Sequence, residues 1–180
     1  HKSMSITITF GVVVMLLLLS SCGGKQKAMG EAITERDSLP VMTTLGVTTL
    51  ISDSGVTRYR VNTEEWMMYD RKKPSYWAFE KGVYMEQFDS IFNVEASIKA
   101  DTAYYYDKER LWKLIGNVDI QNRKGERFNT ELLYWNEATQ KVYSDKFIRI
   151  QQPDRIITGH GFDSNQQMTI YTIGNIEGIF

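Results

Sequence analysis

The sequence predicts an all-β fold, an open β-jelly roll (β-taco) of antiparallel strands that follows an N-terminal signal or anchor segment. Three observations support this class. From residue 41 onward, apolar residues recur at every second position, which is the period of a half-buried strand. Clusters of turn-forming residues interrupt these runs at short intervals. No long helical pattern lies between the runs, which disfavours a parallel sheet with crossover helices.

The composition argues against several classes of protein. The 180 residues carry 21 Lys and Arg against 22 Asp and Glu, so the chain lacks the basic excess of a nucleic-acid-binding protein. One cysteine cannot form an intrachain disulfide, and two histidines leave few ligands for a metal site. His160 lies between two glycines, and we assign it to a turn or strand edge. We therefore predict a protein that is not an enzyme and that uses no cofactor or metal.

The first 22 residues predict a signal peptide or membrane anchor. Residues 6–19 are apolar and uncharged, shorter than the roughly 20 residues of a membrane-spanning helix and within the range of a signal peptide. The following Leu19-Ser20-Ser21-Cys22 is similar to a bacterial lipobox, in which the cysteine thiol receives a diacylglycerol. The alternatives are a marginal membrane helix with an ordinary thiol and a signal peptide with an incidental cysteine. Either anchor places the remaining chain outside the cytoplasm, where a chain without further cysteines folds without disulfides.

The predicted β domain occupies residues 41–180, after a polar segment at 23–40 that predicts a flexible tether. Four runs have one apolar face each. Their apolar-face positions are Phe92, Val94, Ala96, Ile98 and Ala100; Trp112, Leu114, Gly116, Val118 and Ile120; Phe128, Thr130, Leu132 and Tyr134; and, more weakly, Met168, Ile170, Thr172, Gly174 and Ile176.

Turn-forming clusters at 52–55, 106–110, 123–126, 135–139 and 163–166 divide the strands into hairpins. A weak repeat, LIGNV at 114–118 and TIGNI at 172–176, suggests hairpins of similar length, although chance similarity explains it equally simply. Stacked hairpins of this kind form a jelly roll with one face of every strand inward. The many aromatic residues fit either a core filled by cross-strand pairs or a channel for an apolar ligand.

Taken together, these features resemble the LptC family, the bridging subunit of the lipopolysaccharide-transport machinery. The resemblance covers about residues 37–176, and the order and spacing of its short segments carry it. These segments are ISDSG at 51–55, TRYRV at 57–61, KADTAYY at 99–105, LIGNV at 114–118, TELLYW at 130–135 and GHGFD at 159–163.

The resemblance implies a jelly roll open at both ends, whose interior holds the acyl chains of lipopolysaccharide and whose terminal strands pair with neighbouring jelly rolls. The implied partners are lipopolysaccharide, an inner-membrane ABC transporter and a periplasmic bridge protein similar to LptA. The implied location is the periplasm, anchored to the inner membrane. A lipidated Cys22 departs from better-known family members, which keep a transmembrane helix.

From this resemblance we assign two sets of residues to function. The strand at 56–62 is the expected edge toward the transporter, and the strand at 168–176 is the expected edge toward the bridge protein. The second possibility is a structural or interaction lipoprotein of the envelope with a filled β core, and the third is an enzyme such as a glycan-active jelly roll. The expected channel residues are Val94, Ile98, Trp112, Leu114, Val118, Ile120, Leu132 and Ile170, and the expected edge residues are Val56, Arg58, Arg60, Met168, Tyr171, Ile173 and Ile176.

Overall fold

The computed structural model describes residues 36–180. Asp37–Phe180 form one compact unit. The predicted signal segment, Cys22 and most of the predicted tether lie outside the described residues. Within the described part, the one helical element is the short 3₁₀ turn Arg36–Ser38, and no helix is long and apolar enough to cross a membrane.

Eleven strands form a single antiparallel sheet, which confirms the predicted all-β class and is consistent with a jelly roll. The strands are β1 (Met42–Asp53), β2 (Val56–Tyr69), β3 (Tyr76–Phe79), β4 (Val83–Phe88), β5 (Val94–Ala100), β6 (Thr102–Tyr106), β7 (Leu111–Asn122), β8 (Arg127–Asn136), β9 (Lys141–Gln151), β10 (Ile156–Asn165) and β11 (Tyr171–Ile179).

Two long strands, β2 and β7, organise the sheet. β2 pairs with β1 on one side and with β4 and then β3 on the other. β7 pairs with β8 on one side and with β6 and then β5 on the other. The pairings of β4 with β5 and of β3 with β6 join these two groups, and β9, β10 and β11 follow β8 in order. Within the described chain, β1 and β11 therefore have one neighbour each and form the two free edges of the sheet.

The predicted alternation holds along most of β7, where one face is buried and the other faces outward. Gly116 and Asn117 interrupt the strand with a bulge, and both have a positive φ, 79° and 45°. A Cβ at Gly116 would lie 3.0 Å from Asp101 Oδ2, so glycine permits both the dihedral angle and the close approach. The buried residues on either side of this bulge are Trp112, Leu114, Val118 and Ile120.

The predicted apolar face of β8 is wrong in its second half. Thr130 faces inward as predicted, but the next buried residues are Leu133 and Trp135, not Leu132 and Tyr134. The pairing of β8 with β9 shifts register between Thr130 and Tyr134. Across this shift β9 has one residue more than β8. Because side chains alternate with a period of two, such a mismatch reverses the positions of β8 that face inward after it.

The sheet folds over so that its own inner faces meet. The ring of Tyr59 in β2 lies 5.0 Å from the ring of Trp135 in β8, although β4, β5 and β7 separate these strands within the sheet. On the other half, Phe128 of β8 lies 5.1 Å from Tyr171 of β11. The hydrophobic core therefore lies between the two halves of one folded sheet.

Candidate functional site

The inner face of the sheet contains five of the eight predicted channel residues. They belong to one continuous hydrophobic cluster, and all of them are buried. Their side chains pack with other core residues, so the interior is filled at these positions. The five residues are Ile98, Trp112, Leu114, Val118 and Ile120.

The other three predicted channel residues lie outside this core. Val94 lies two positions before the buried Ala96 and is 47% exposed at the rim of the inner face. Leu132 is half-buried next to the inward Leu133, because of the register shift in β8. Ile170 lies in the turn between β10 and β11 and is 76% exposed, so its assignment to the interior is wrong.

The rim of the inner face contains apolar residues that the sequence reasoning did not assign to the lipid path. Ile51 of β1 and Tyr59 of β2 are partly buried and pack against the core, as does Ile173 of β11. Ile176 pairs with the buried Gly159 and therefore shares its inward face, but it is 58% exposed. Inward apolar side chains that contact water mark the places where the interior is open.

A cavity of about 810 Å³ opens beside Tyr59 and combines aromatic rings with amide groups and with charged groups of both signs. Aromatic rings beside arginines can accept an amphipathic ligand whose apolar part enters the interior while an anionic group stays beside a guanidinium group. The lining includes Tyr59, Phe88, Tyr105, Arg58, Arg110 and Gln166, together with the carboxylates of Asp89, Glu95 and Glu137.

Glu137 organises one wall of this cavity. Its carboxylate accepts hydrogen bonds from Trp112 Nε1 at 2.9 Å and from the Tyr105 hydroxyl at 3.3 Å, and it lies 3.6 Å from Arg110 Nε. Burial, followed by the neighbouring Glu137 charge, raises the pKa of Tyr105 from 10.0 to about 12. Tyr105 is therefore a neutral hydrogen-bond donor at physiological pH.

We expect the Tyr105 hydroxyl to ionise near pH 12 in an alkaline titration followed by tyrosinate absorbance. Because the folded-state pKa lies above the usual value, the stabilising contribution of Tyr105 is complete below pH 10 and is lost as the pH rises through about 12. Tyr104 is the internal control, because burial and the neighbouring Glu80 also raise its pKa to about 12. Glu137→Gln should make Tyr105 ionise earlier and leave Tyr104 unchanged. An unchanged titration in Glu137→Gln would contradict this assignment.

A buried polar network holds the turn between β10 and β11 against the core. The Glu126 carboxylate, in a residue that is 9% exposed, accepts hydrogen bonds from Asn122 Nδ2 at 2.7 Å, Gln152 Nε2 at 3.0 Å and the Tyr171 hydroxyl at 3.1 Å. Asn122 Nδ2 also donates to the backbone carbonyl of Met168 at 2.8 Å. Such a network is costly to break, because each separated partner would remain buried.

The structure places the C-terminal strand at a sheet edge, as predicted, but with different bounds, and it moves the N-terminal edge to another strand. The C-terminal edge is β11, which begins at Tyr171; Met168 lies in the preceding turn and is completely buried. The N-terminal edge is β1, and the predicted strand at 56–62 belongs to β2, one strand inside the sheet. Val56 pairs with β1, and Arg60 is bracketed by β1 and β4, since it pairs with residues of both strands. Arg60 is therefore paired on both sides and cannot offer the free backbone of an edge strand, whereas Val56 is paired with β1 alone.

A second depression, of about 910 Å³, lies on the outer face of the sheet. Many of its polar groups bind one another: Arg127 forms an ion pair with Asp119, and Asn117 Nδ2 donates to Asp101 Oδ2 at 2.7 Å. The Arg127 hydrogen bond lowers the pKa of Asp119. Among residues 36–180, no group of three or more His, Cys, Asp or Glu side chains is placed to bind a metal ion.

A single antiparallel sheet that folds around an apolar interior and leaves one side of each edge strand free defines an open jelly roll. The family model described as "Lipopolysaccharide-assembly, LptC-related" matches residues 11–175, and the chain therefore belongs to the LptC family. This assignment gives the protein an envelope-associated role in lipopolysaccharide transport, within a family of transport components rather than enzymes. A search of curated proteins found no match to the chain.

Proposed function

We propose that this protein is a non-catalytic bridge component of lipopolysaccharide export. It receives lipopolysaccharide from an inner-membrane ABC transporter and passes it along the inner face of the sheet to a periplasmic bridge protein similar to LptA. One observation carries the proposal: the sheet encloses an apolar interior, and within the described chain each of its two edge strands has a neighbour on one side only. Moving one methylene out of water is worth about 0.8 kcal/mol, so a lipid with several acyl chains needs a continuous apolar path.

The two free edges supply the contacts with neighbouring proteins. An unpaired edge strand exposes backbone N–H and C=O groups, to which a strand of another protein can pair. We assign β11, with its inward Ile173 and exposed Ile176, to the bridge protein. The transporter-side edge becomes β1 instead of the strand at 56–62, because β1 covers β2.

Acyl chains enter where the two halves of the sheet separate. The contact between Tyr59 and Trp135 joins these halves directly beside the 810 Å³ cavity. Arg58 and Arg110 line the same cavity, and Arg58 has no carboxylate within 4.0 Å in the described chain. Phosphate groups of the lipid would bind these guanidinium groups while its acyl chains displace the Tyr59 ring.

Trp66 supports an interior ligand by a separate observation. Its ring lies 4.9 Å from Trp77 and 5.8 Å from Phe79. Its Nε1 is buried, and no acceptor within the described chain bonds it. A buried donor without an acceptor costs about 1–3 kcal/mol. An ester or amide carbonyl of an acylated lipid would satisfy this donor.

The proposed anchor is the N-terminal segment, with residues 1–22 as a lipoprotein signal peptide or membrane anchor, Cys22 as the lipidated residue and residues 23–40 as a tether. This segment would hold the β domain in the periplasm at the inner membrane. The proposal rests on the apolar run and the Leu19-Ser20-Ser21-Cys22 sequence.

One structural observation favours a second candidate, an envelope lipoprotein with a structural or interaction role. Five predicted channel residues are buried in a filled core, as a protein without a lipid path would require. The two candidates differ in whether the inner rim ever contacts lipid.

We expect photo-crosslinking amino acids at Tyr59, Ile173 and Ile176 to capture lipopolysaccharide in living cells. These positions are accessible parts of the inner rim, unlike the buried Trp112. Lys99, an exposed residue of β5, is the matched outer-face control and should give little adduct. Adducts at Lys99 without adducts at the rim would rule out the inner face as the path. Absence of adducts at all four positions would favour the structural lipoprotein.

A further inference from the structure

Tyrosines are concentrated at one end of the outer face of the sheet. Tyr69, the last residue of β2, stacks on Tyr76, the first residue of β3, with ring centroids 4.9 Å apart. Tyr76 in turn lies 5.9 Å from Tyr104 and 6.0 Å from Tyr106 of β6. All four are half-buried, and we call them the tyrosine cluster. A tyrosine presents an apolar ring with a polar tip, which suits a boundary between apolar and aqueous surroundings.

The loop that joins Tyr69 to Tyr76 is basic. It contains Arg71, Lys72 and Lys73, and none of the three has a carboxylate within 4.0 Å in the part of the chain that the structure describes. Three acidic groups also lie nearby. Asp70 is in the same loop, Asp107 accepts a hydrogen bond from Ser75 Oγ at 2.6 Å at the end of the loop, and Glu80 accepts one from the Tyr104 hydroxyl at 3.0 Å. The loop therefore has a net positive charge directly beside the tyrosine cluster.

The chain enters the β domain at this same corner. The Val41 N–H donates to the carbonyl of Met68 at 2.8 Å, one residue before Tyr69. Only eighteen residues lie between Cys22 and Val41, and this length of chain spans about 65 Å when fully extended and about 24 Å on average as a flexible chain. An anchor at Cys22 would therefore keep this corner, rather than the opposite end of the sheet, close to the membrane.

We propose that the tyrosine cluster and the basic loop at 70–75 form a contact surface for a bilayer that contains anionic phospholipids. The rings insert at the headgroup level, and the three cations bind lipid phosphates. This contact rests on the anchor in the proposed function, but it needs neither the lipid path nor the partner edges. It would hold the jelly roll with a defined end toward the membrane while lipid passes through it.

The test uses the full chain reconstituted in vesicles, with a photo-crosslinking aromatic amino acid in place of Tyr106. Tyr84, an outer-face tyrosine of β4 that is 39% exposed and outside the cluster, is the matched control position. We expect phospholipid adducts at Tyr106 in vesicles of phosphatidylethanolamine and phosphatidylglycerol, and few in phosphatidylcholine. Adducts at Tyr84 should be rare in both.

The neutral variant Arg71→Gln/Lys72→Gln/Lys73→Gln should lower the adduct yield at Tyr106 by at least tenfold and remove its dependence on lipid charge. Since these side chains make no ion pair with any residue among 36–180, the variant should melt as the parent protein does. Equal yields at Tyr106 and Tyr84, or a yield at Tyr106 that ignores both lipid charge and the neutral variant, would overturn the proposal. The proposal would also be overturned if the crosslinker at Tyr106 captured only a protein, and no phospholipid, in cells, because this corner would then be a protein-docking surface. If a crosslinker at Tyr59 captured no lipopolysaccharide, the proposed function would be overturned, but phospholipid adducts at Tyr106 would still support the membrane contact.

Discussion

Trp112→Ala is expected to lower the free energy of unfolding by roughly 3–5 kcal/mol, the range for removal of a large aromatic side chain from a core. The Trp112 ring is 1% exposed and lies 4.7 Å from Tyr105 of β6 and 5.4 Å from Phe79 of β3, so alanine leaves a cavity beside the rings of these two strands. The substitution also removes the indole N–H from Glu137. Since native domains have roughly 5–15 kcal/mol of stability in total, the midpoint of chemical denaturation should fall sharply.

Two further variants separate the contributions of Trp112. Trp112→Phe keeps most of the bulk but leaves one oxygen of Glu137 without its donor, and it should cost about 1–3 kcal/mol. Trp77→Ala removes an indole that packs against the same cluster but is only partly buried, so its effect should be smaller than that of Trp112→Ala. Similar losses for Trp77→Ala and Trp112→Ala would contradict a core centred on Trp112.

The alternation of apolar residues was sufficient to predict the fold class and much of its core. In β7, Trp112, Leu114, Val118 and Ile120 face inward as predicted, because burial on one face of a strand leaves a direct pattern in the sequence. The register shift between β8 and β9 left no such pattern. Leu132 and Leu133 are equally apolar, and only the pairing with β9 determines which of them faces inward.

The sheet edges were harder to predict, because strand neighbours are determined by residues far apart in the chain. Apolar and polar residues alternate along the segment at 56–62, as they can in an edge strand. In the structure, β1 pairs along this segment and occupies the edge instead. Met168 fits the alternation of a strand, yet it lies in a turn. The side-chain amide of Asn122, 46 residues earlier, holds this turn by donating a hydrogen bond to the Met168 carbonyl. Long-range hydrogen bonds of this kind depend on the folded sheet and leave no local periodic signal.

The position of the C-terminal edge depends on a close approach between β10 and β11. Gly159 is buried in β10, and a Cβ at this position would lie 2.3 Å from the carbonyl oxygen of Asn175 and 2.8 Å from Ile173 Cγ2. Side chains essentially never approach backbone atoms this closely, so β11 would have to move away. The glycine therefore sets both the pairing of the edge strand and the inward placement of Ile173.

Gly159→Ala is accordingly expected to detach β11 from β10 at a cost of about 1–3 kcal/mol, the usual range for overpacking. Hydrogen exchange should show faster exchange of the β11 amides, while the amides of β7, four strands away in the sheet, stay protected. If β11 is the edge that binds the bridge protein, copurification of that protein should fall in parallel.

Gly174→Ala provides a graded comparison, because its Cβ would lie 3.0 Å from the His160 carbonyl oxygen and should disturb the same pair of strands less. Gly125→Ala is the control for backbone strain alone: Gly125 has a φ of +77° in the β7–β8 turn, and its Cβ would meet no atom within 4 Å. It should cost about 1 kcal/mol without changing exchange in β11.

If Gly159→Ala abolished copurification of the bridge protein while the β11 amides stayed protected, partner binding would not depend on this edge. Faster exchange of β11 with normal copurification would show that the bridge protein binds elsewhere, since a detached strand cannot present an ordered edge for pairing.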